Sequence, residues 1–529
     1  MSDARSYSNK SPVGPWDYVV VGSGMGGMTT AAILALAGRR VLVLEQHYVP
    51  GGFTHSFRRK KWSWDVGVHA IGEVLPRARV GRVLKALTRG RLEWASLGDT
   101  YEEFAFPDLR VDFPSTPAAF REALVTAFPR GAEAIDNYLA RVRETGRGMG
   151  AYFASRVVPA SMAPLAERLA RRAYEGLGLV TKDVLDGLSD DARLKAVLTA
   201  QWGYIGVPPE RSSFAMQALV ARHFLHGGYY PVGGAGKIAE GLLATVADAG
   251  GWTRIRADVS EVVVEDGRAT GVRLADGEVI NAARGVISGA GGLATVNRLL
   301  PPREREAQWA KDIAALKPSP CHVCLYIGFK GDLRAAGCSG ANKWFFEEWQ
   351  PSAMWDVHTP GAEAPVLYCS FPSLKDPSHQ PGPEQLQTGE IVTFVPYDAF
   401  APWKDGRWRH RGEDYEAFKA RLTETLLAQY LRHLPQLRPL VAYAELSTPI
   451  STEHFTRAPA GAIYGIEPTP ERFRTRALRP RTPIRGLFLS GSDVASVGVV
   501  GAAAGGALAA VAAEPVAATR VLREAMRRR

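Results

Sequence analysis

Apolar residues along this chain fall into a few distinct rhythms. Short uninterrupted runs at Tyr18–Val21 and Val41–Leu44 read as buried parallel strands. Between them Thr29–Ala37 reads as a helix closed by Gly38, so the segment is strand, helix, strand. A third buried run lies far away at Leu487–Leu489. Helical spacing returns at 236–249 and over most of 115–200, as in "AAFREALVTAF" and "AEAIDNYLARVRETG". "RADVSEVVVEDGRATGVRLADGEVI" reads as a meander of short strands, with "EDG" and "ADG" as hairpin turns. Residues 320–330 and 365–397 read as strands rich in Val, Tyr, Phe and Cys.

One run fits none of these. Val494–Ala513 has no charged residue and is long enough to cross a bilayer as a helix. It holds Gly501-x-x-x-Gly505, the spacing of packed membrane helices. Yet it contains nine Ala and four Gly against one Leu, which makes it weakly hydrophobic for a membrane span. Small residues serve equally to bring a helix close to a sheet or a ligand.

The first strand runs straight into Gly22-Ser23-Gly24-Met25-Gly26-Gly27, which contains the spacing G-x-G-x-x-G. Gly22 allows the tight turn, Gly24 lets a pyrophosphate reach the backbone, and Gly27 lets helix and strand approach. The helix N-terminus offers free N–H groups to phosphates. Glu45, with Gln46 beside it, tips the second strand and is placed to accept hydrogen bonds from ribose hydroxyls. An acid there would repel the extra phosphate of NADP, so FAD and NAD remain. Gly51-Gly52, just beyond the acid, provides a second close-approach site and favours the larger FAD.

At the other end Gly491 and Asp493 follow the strand Leu487–Leu489, and a helix begins near Val497 to Val500, with Val499 and Val500 as candidate cofactor contacts. In flavoproteins of the glutathione-reductase type, a strand, a "GD" turn and a small-residue helix complete the FAD site, and this segment looks like that element. The likeness implies that Asp493 binds the ribityl chain. Val259 falls where such proteins contact the adenine end. Gly289, in "VISGAGG", returns the chain to the first domain rather than opening an NADPH site, since no complete strand–helix–strand unit with a terminal acid follows. The fold class expected is therefore α/β: a two-dinucleotide-like FAD domain with a discontinuous α+β substrate domain. The FAD domain takes 14–75, 226–300 and 484–529, the substrate domain takes 76–225 and 301–483, and 1–13 is a disordered tail.

Composition narrows the classes. The 529 residues exceed one ordinary core, and 46% hydrophobic with 22% charged residues is globular. The net charge of +10 is scattered, with no nucleic-acid-binding signature, so no nucleic acid partner is expected. An anionic membrane surface is the better match, and "AYFASRVVPASMAPLAERLARRAY" is a candidate contact. Four cysteines and an N-terminus without a secretory signal point to a cytoplasmic protein, with peripheral attachment to the inner face of a membrane as a variant. Cys321 and Cys324 have zinc-like spacing, but on a strand they face opposite ways, and no second pair follows, so no metal is expected.

With "DYVVVGSGMGGMTTAAILALAGRRVLVLEQH", "YYPVGGAGKIAEGL" and "GLFLSGSDVASVGVVGA" in view, nearly the whole chain resembles the phytoene-dehydrogenase-related flavoproteins. These include carotenoid desaturases, carotenoid isomerases and retinol saturases. "LEQHYVPGGFTHSFRRKKWSWDVGVHAIG" and "GAIYGIEPTPERF" draw it toward the saturase and isomerase branch. Phe53 stands where that family usually has a basic residue. The resemblance implies bound FAD, a long apolar polyene or lipid substrate met at a membrane, and hydride exchange at flavin N5. It places the turn of Gly67 and Val68 beside the flavin. A saturase also needs a proton donor. His69, Glu467 and Tyr464 are the candidates, with Tyr230 as a weaker one. Trp202, Trp344, Phe345 and Phe346 are candidate tunnel walls, with core packing as the plainer reading.

The leading functional reading is a saturase. A redox-neutral isomerase of a carotenoid or polyunsaturated fatty acid, a desaturase, and a non-catalytic prenyl or lipid carrier are the alternatives. The intact pyrophosphate loop argues against the carrier. No NAD(P)H domain is visible, so an external electron donor or acceptor is expected.

Overall fold

The computed structural model describes residues 6–350 and 354–527. Six parallel strands form one sheet in the order Tyr7–Ser8, Trp252–Arg254, Val41–Leu44, Tyr18–Val21, Gly285–Ser288, Leu487–Leu489. The runs at 18–21, 41–44 and 285–288 are buried at every position, which is why they read as unbroken apolar stretches. Segments from the start, middle and end of the chain thus share one sheet. The tail expected to be disordered is corrected here: Tyr7 and Ser8 pair with Thr253 and Arg254, while residues 1–5 lie outside the described part.

The first helix spans Met25–Leu36, so it starts at Met25 rather than Thr29. Gly26 and Gly27 are poor helix formers. Tertiary packing overrides that: a Cβ on Gly27 would sit 2.2 Å from the Gly22 carbonyl oxygen. The Gly/Ala run forms the helix Gly498–Ala513, which lies against Met25–Leu36. A Cβ on Gly505 would come within 1.9 Å of the Gly491 oxygen, and one on Gly506 within 2.4 Å of the Gly26 oxygen. The small residues therefore permit close packing of these two helices on each other and on the glycine turns at the strand ends. Among the described residues no helix is long and apolar enough to cross a membrane.

The strands Val259–Glu265, Arg268–Leu274 and Val279–Asn281 form the antiparallel meander. Asp266 and Gly267, both at positive φ (47° and 69°), make its first hairpin turn. Gly285–Ser288 then returns between Tyr18–Val21 and Leu487–Leu489.

A second, seven-stranded sheet runs Val441–Ser447, Cys321–Lys330, Leu386–Val395, Val366–Ser370, Asn342–Phe346, Thr100–Phe106, Leu109–Pro114. Helices between Pro117 and Phe224 bury Phe104, Phe106, Phe113 and Trp344 on one face. The helix Glu413–His433 covers the other, packing Leu422, Leu426 and Tyr430 on Val323, Leu325 and Leu367. Cys321 and Cys324 fall in different core clusters, as alternation requires. Among the described residues no group of three or more His, Cys, Asp or Glu side chains is placed to hold a metal ion.

Candidate active site

A single cleft, with about 2050 Å³ of empty space counting its open mouth, passes from the edge of the parallel sheet to the face of the seven-stranded one. Its first part is glycine-rich. Gly22, Gly24, Met25, Gly26, Gly52, Gly289 and Gly491 line it, with Glu45, Gln46, Val259 and Asp493. At Gly24, Gly491 and Gly498 a Cβ would meet nothing within 4 Å, so these backbones face open space. The helix Gly498–Ala513 starts at this cleft, and Val499 lines it.

Glu45 is held on several sides. Its Oε2 accepts from the Ser23 N–H at 2.9 Å and the Ser23 hydroxyl at 2.6 Å, and its Oε1 accepts from the His47 N–H at 2.8 Å. Ser23 Oγ in turn accepts from the Gly51 N–H at 3.0 Å, which ties the two glycine loops together. Ser23, Gly27 and Gly51 thus support the cleft rather than line it. Asp493 accepts from the Gly292 N–H at 2.7 Å and the Ile466 N–H at 2.9 Å, locking two loops at the cleft wall. Gln46 is bonded to the Phe455 carbonyl.

Two further expected cofactor contacts lie off the cleft wall. Val68 is buried in the core beneath the cleft, and Val500 packs against that same core; neither lines the cleft. The neighbouring Gly67 and Val499 do. Cations that sequence reasoning missed, Arg298 and Arg457, also line the cleft. Arg298 donates to the Val259 carbonyl at 2.9 Å, and its buried Nε has no partner among the described residues. They bring positive charge to a site whose Phe53 cannot.

The deeper part is aromatic. Trp202, Tyr204, Trp344, Tyr368, Phe394 and Tyr464 face it, as does His69. Trp202 and Trp344 are walls as well as core residues. Phe345 and Phe346 are core residues on the far side and flank of the sheet, in line with the plainer reading of them. Tyr230 bonds to buried Asp65, outside the cleft. Glu467 is removed from the proton donors: it lies outside the cleft, in an ion pair with Arg211 at 2.8 Å.

His69 Nδ1 lies 2.9 Å from Glu390 Oε2, without the alignment of a hydrogen bond. Burial, then the nearby Lys375 charge, pushes its pKa down to about 3, so the imidazole is neutral. Burial pushes Glu390 up to about 8 against the pull of Lys375. Lys375 itself is held below its ordinary range by burial. Its Nζ donates to the His69 carbonyl at 2.7 Å, to Ser370 Oγ at 2.7 Å and to Asn342 Oδ1.

A parallel sheet with a glycine loop at a helix N-terminus, an acid at the next strand tip and a second glycine turn from the chain's end define a dinucleotide-binding flavoprotein. The chain belongs to the flavin-containing amine oxidoreductase family, whose model matches residues 25–513. It is similar to the all-trans-retinol 13,14-reductase of Danio rerio, at 31% identity over 92% of this chain and 84% of that protein. It is also similar to the chloroplastic prolycopene isomerase of Daucus carota, at 25% identity over 94% and 79%. Among solved structures, putrescine oxidase bound to putrescine matches with a TM-score of 0.63 at 17% identity, covering 95% of this chain and 99% of that one. That last likeness concerns the fold. The cofactor is FAD, the cradle of open glycines and the strand-tip acid fit it, and the chain is an FAD-dependent oxidoreductase.

Proposed function

We propose that this enzyme saturates a carbon–carbon double bond in a long apolar polyene of the retinoid type. One observation carries the reading: the glycine cradle opens, in the same cleft, onto a chamber walled by Trp202, Tyr204, Trp344, Tyr368 and Phe394. Flat aromatic walls suit a conjugated apolar chain. The similarity to retinol reductases supports the same substrate class.

In this reading Gly22, Gly24, Met25, Gly26, Gly52, Gly289, Gly491 and Val499 surround the FAD, and Gly67 closes on it. Glu45 receives the ribose hydroxyls, and Asp493 faces the ribityl chain while it fixes two loops. Reduced FAD supplies a hydride equivalent. The chain's own residues bind and orient the polyene, exclude water and provide a proton. The domain division at 14–75, 226–300 and 484–529 against 76–225 and 301–483 assigns the first set to cofactor and the second to substrate.

The electron donor is external. The substrate reaches the site from a membrane surface on the cytoplasmic side. Met162, Leu165 and Leu169 are exposed at 53%, 60% and 79%, next to Arg168, Arg171 and Arg172. An apolar edge set among cations suits an anionic lipid surface.

The test is anaerobic. Dithionite-reduced enzyme is mixed with all-trans-retinol, and product masses are compared with flavin reoxidation. A product two hydrogens heavier, formed in step with reoxidation, supports saturation. Unchanged mass with a shifted retention time favours the second reading, an isomerase, which the prolycopene isomerase relative supports.

A further inference from the structure

Saturation of an alkene needs a proton as well as a hydride, and the cleft holds a set of oxygens that can deliver one. We propose that the Tyr368 hydroxyl gives the proton to the substrate carbon and that Glu102, acting through Tyr204, resupplies it. The proposal rests on the saturase reading.

The geometry is a short chain of protonable oxygens. Glu102 Oε1 lies 2.6 Å from the Tyr204 hydroxyl, and that hydroxyl lies 3.1 Å from the Tyr368 hydroxyl. Glu102 is fully buried, whereas Tyr204 and Tyr368 both face the cleft. The chain therefore leads from a carboxyl without solvent access to the chamber wall. Among the described residues Tyr368's hydroxyl has no hydrogen-bond partner but Tyr204, so its own proton is free to point at a bound polyene.

The sheet fixes the carboxyl. Glu102 pairs with Asn342 on the neighbouring strand, and Asn342 Nδ2 donates at 3.1 Å both to Glu102 Oε1 and to the Tyr204 oxygen. Trp344 Nε1 donates to Glu102 Oε2 at 2.6 Å. Trp344 is also a chamber wall, so one residue sets both the carboxyl and the substrate plane.

The charges agree with this direction of transfer. Burial pushes Glu102 up to about 7, against the pull of its partners Tyr204, Asn342 and Trp344 and of the Lys375 cation. Tyr204 and Tyr368 are pushed well above their ordinary value, first by burial and then by Glu102, so both keep their protons at neutral pH. The groups facing Glu102 are Tyr204, Lys375, Tyr368 and, beside it in the chain, Tyr101, which burial also holds protonated. Among the described residues no other candidate lining the cleft is hydrogen-bonded to an acid: His69 Nδ1 lies 2.9 Å from Glu390 but without the alignment of a hydrogen bond. His69 is neutral, and among the described residues the Tyr464 hydroxyl makes no hydrogen bond.

The step balances. Hydride adds to one alkene carbon and leaves an electron pair on its conjugated neighbour. That carbon takes the Tyr368 proton as the Tyr368 O–H bond breaks. The Tyr204 proton moves to Tyr368 and the Glu102 proton to Tyr204. The net change in the protein is one carboxylic acid becoming carboxylate, and the two reducing electrons are those of reduced FAD. Tyr368 is the catalytic residue; Tyr204 and Glu102 act through it.

The test compares wild type with Tyr368→Phe, Tyr204→Phe and Glu102→Gln, each checked for flavin content and thermal unfolding. Reduced enzyme is mixed anaerobically with all-trans-retinol, and flavin reoxidation is followed against pH. Both Phe variants should slow it on the order of 100-fold, the scale of one proton-transfer catalyst, because only a hydroxyl is lost from a packed ring. The donor acts when protonated, so the wild-type rate should be full below about 7 and fall as pH rises through it. Glu102→Gln should be slow and lose that limb. Independently of turnover, the oxidised enzyme should show an infrared carboxylic-acid band that titrates in the same range and is absent from Glu102→Gln. Phe variants as fast as an active wild type, or a pH limb that survives in Glu102→Gln, would overturn the relay and leave the saturase reading standing. A wild type that reduces no polyene would overturn both.

Discussion

The cofactor cradle can be tested by adding one methyl group at each of two glycines. At Gly24 the backbone is at φ −64°, ψ 168°, which any residue adopts, and a Cβ would meet no atom within 4 Å. Gly24→Ala should therefore leave the flavin-free protein unchanged within about 0.5 kcal/mol, as for a substitution without new contacts. Its methyl would project where the pyrophosphate must approach, and an affinity loss on the order of 100-fold is expected. At FAD about 100 times above the wild-type Kd, bound FAD stabilises the native state by about 2.7 kcal/mol. A 100-fold weaker variant at the same concentration would retain only about 0.4 kcal/mol. Gly505→Ala should behave in the opposite way. Its methyl would sit 1.9 Å from the Gly491 oxygen, far inside contact distance. Overpacking costs about 1–3 kcal/mol, and Ala's better helix propensity returns about 1 kcal/mol, so the flavin-free protein itself should lose stability. Urea unfolding with and without FAD separates the cases. Wild-type FAD affinity in Gly24→Ala, or equal loss of apoprotein stability in both variants, would refute the assignment of this cleft wall to the cofactor.

Other outcomes follow from single contacts. Glu45→Gln replaces an oxygen that accepts two Ser23 donors or one His47 donor with an NH2 group, and should cost about 1–3 kcal/mol of apoprotein stability together with flavin content, read by unfolding and absorbance. Glu467→Gln should cost no more than about 1 kcal/mol, because Arg211 is half in solvent, and should leave the retinol single-turnover rate unchanged. The double change Leu165→Glu with Leu169→Glu should reduce flotation with anionic phospholipid vesicles without altering flavin content, and salt should weaken what remains. Reduction of the enzyme by NADPH or NADH alone should be slow beside dithionite; rapid bleaching of the flavin by either would remove the need for a separate donor.

The parallel sheet was legible because its signals are local and independent of what they pack against. Tyr18–Val21, Val41–Leu44 and Leu487–Leu489 are buried on both faces, so each is apolar throughout. The start of the first helix was less so. Propensity argues against a helix through Gly26 and Gly27; the approach to the first strand explains Gly27, but only the later strand turn at Gly491 and the helix Gly498–Ala513 show why glycine stands at 26. Val68 and Val500 were misplaced for a related reason. Each adjoins a residue that does line the cleft, and one step along a backbone is enough to turn a side chain from cavity to core.

The substrate chamber was harder, because its residues meet only through the pairing of distant strands. Tyr368 and Trp344 face the cleft together because Val366–Ser370 and Asn342–Phe346 are neighbours in register. No spacing in the sequence encodes that pairing. The acids, however, left a readable mark. In "TYEEFAF", Glu102 shares its strand face with Phe104 and Phe106; in "GEIVTF", Glu390 shares its face with Val392 and Phe394. A carboxyl on the apolar face of a strand must either be paired or hold a proton, since a bare buried charge is too costly. Glu102 has hydrogen-bond donors but no cation in contact, and Glu390 faces a neutral imidazole. Burial pushes both carboxyls toward the protonated form, and alternation places them on the buried side of the sheet. His69, Glu467 and Tyr464 were selected by motif, which finds conspicuous residues near glycines. The acid on the wrong face of a strand is the signal that chemistry, rather than packing, chose the residue.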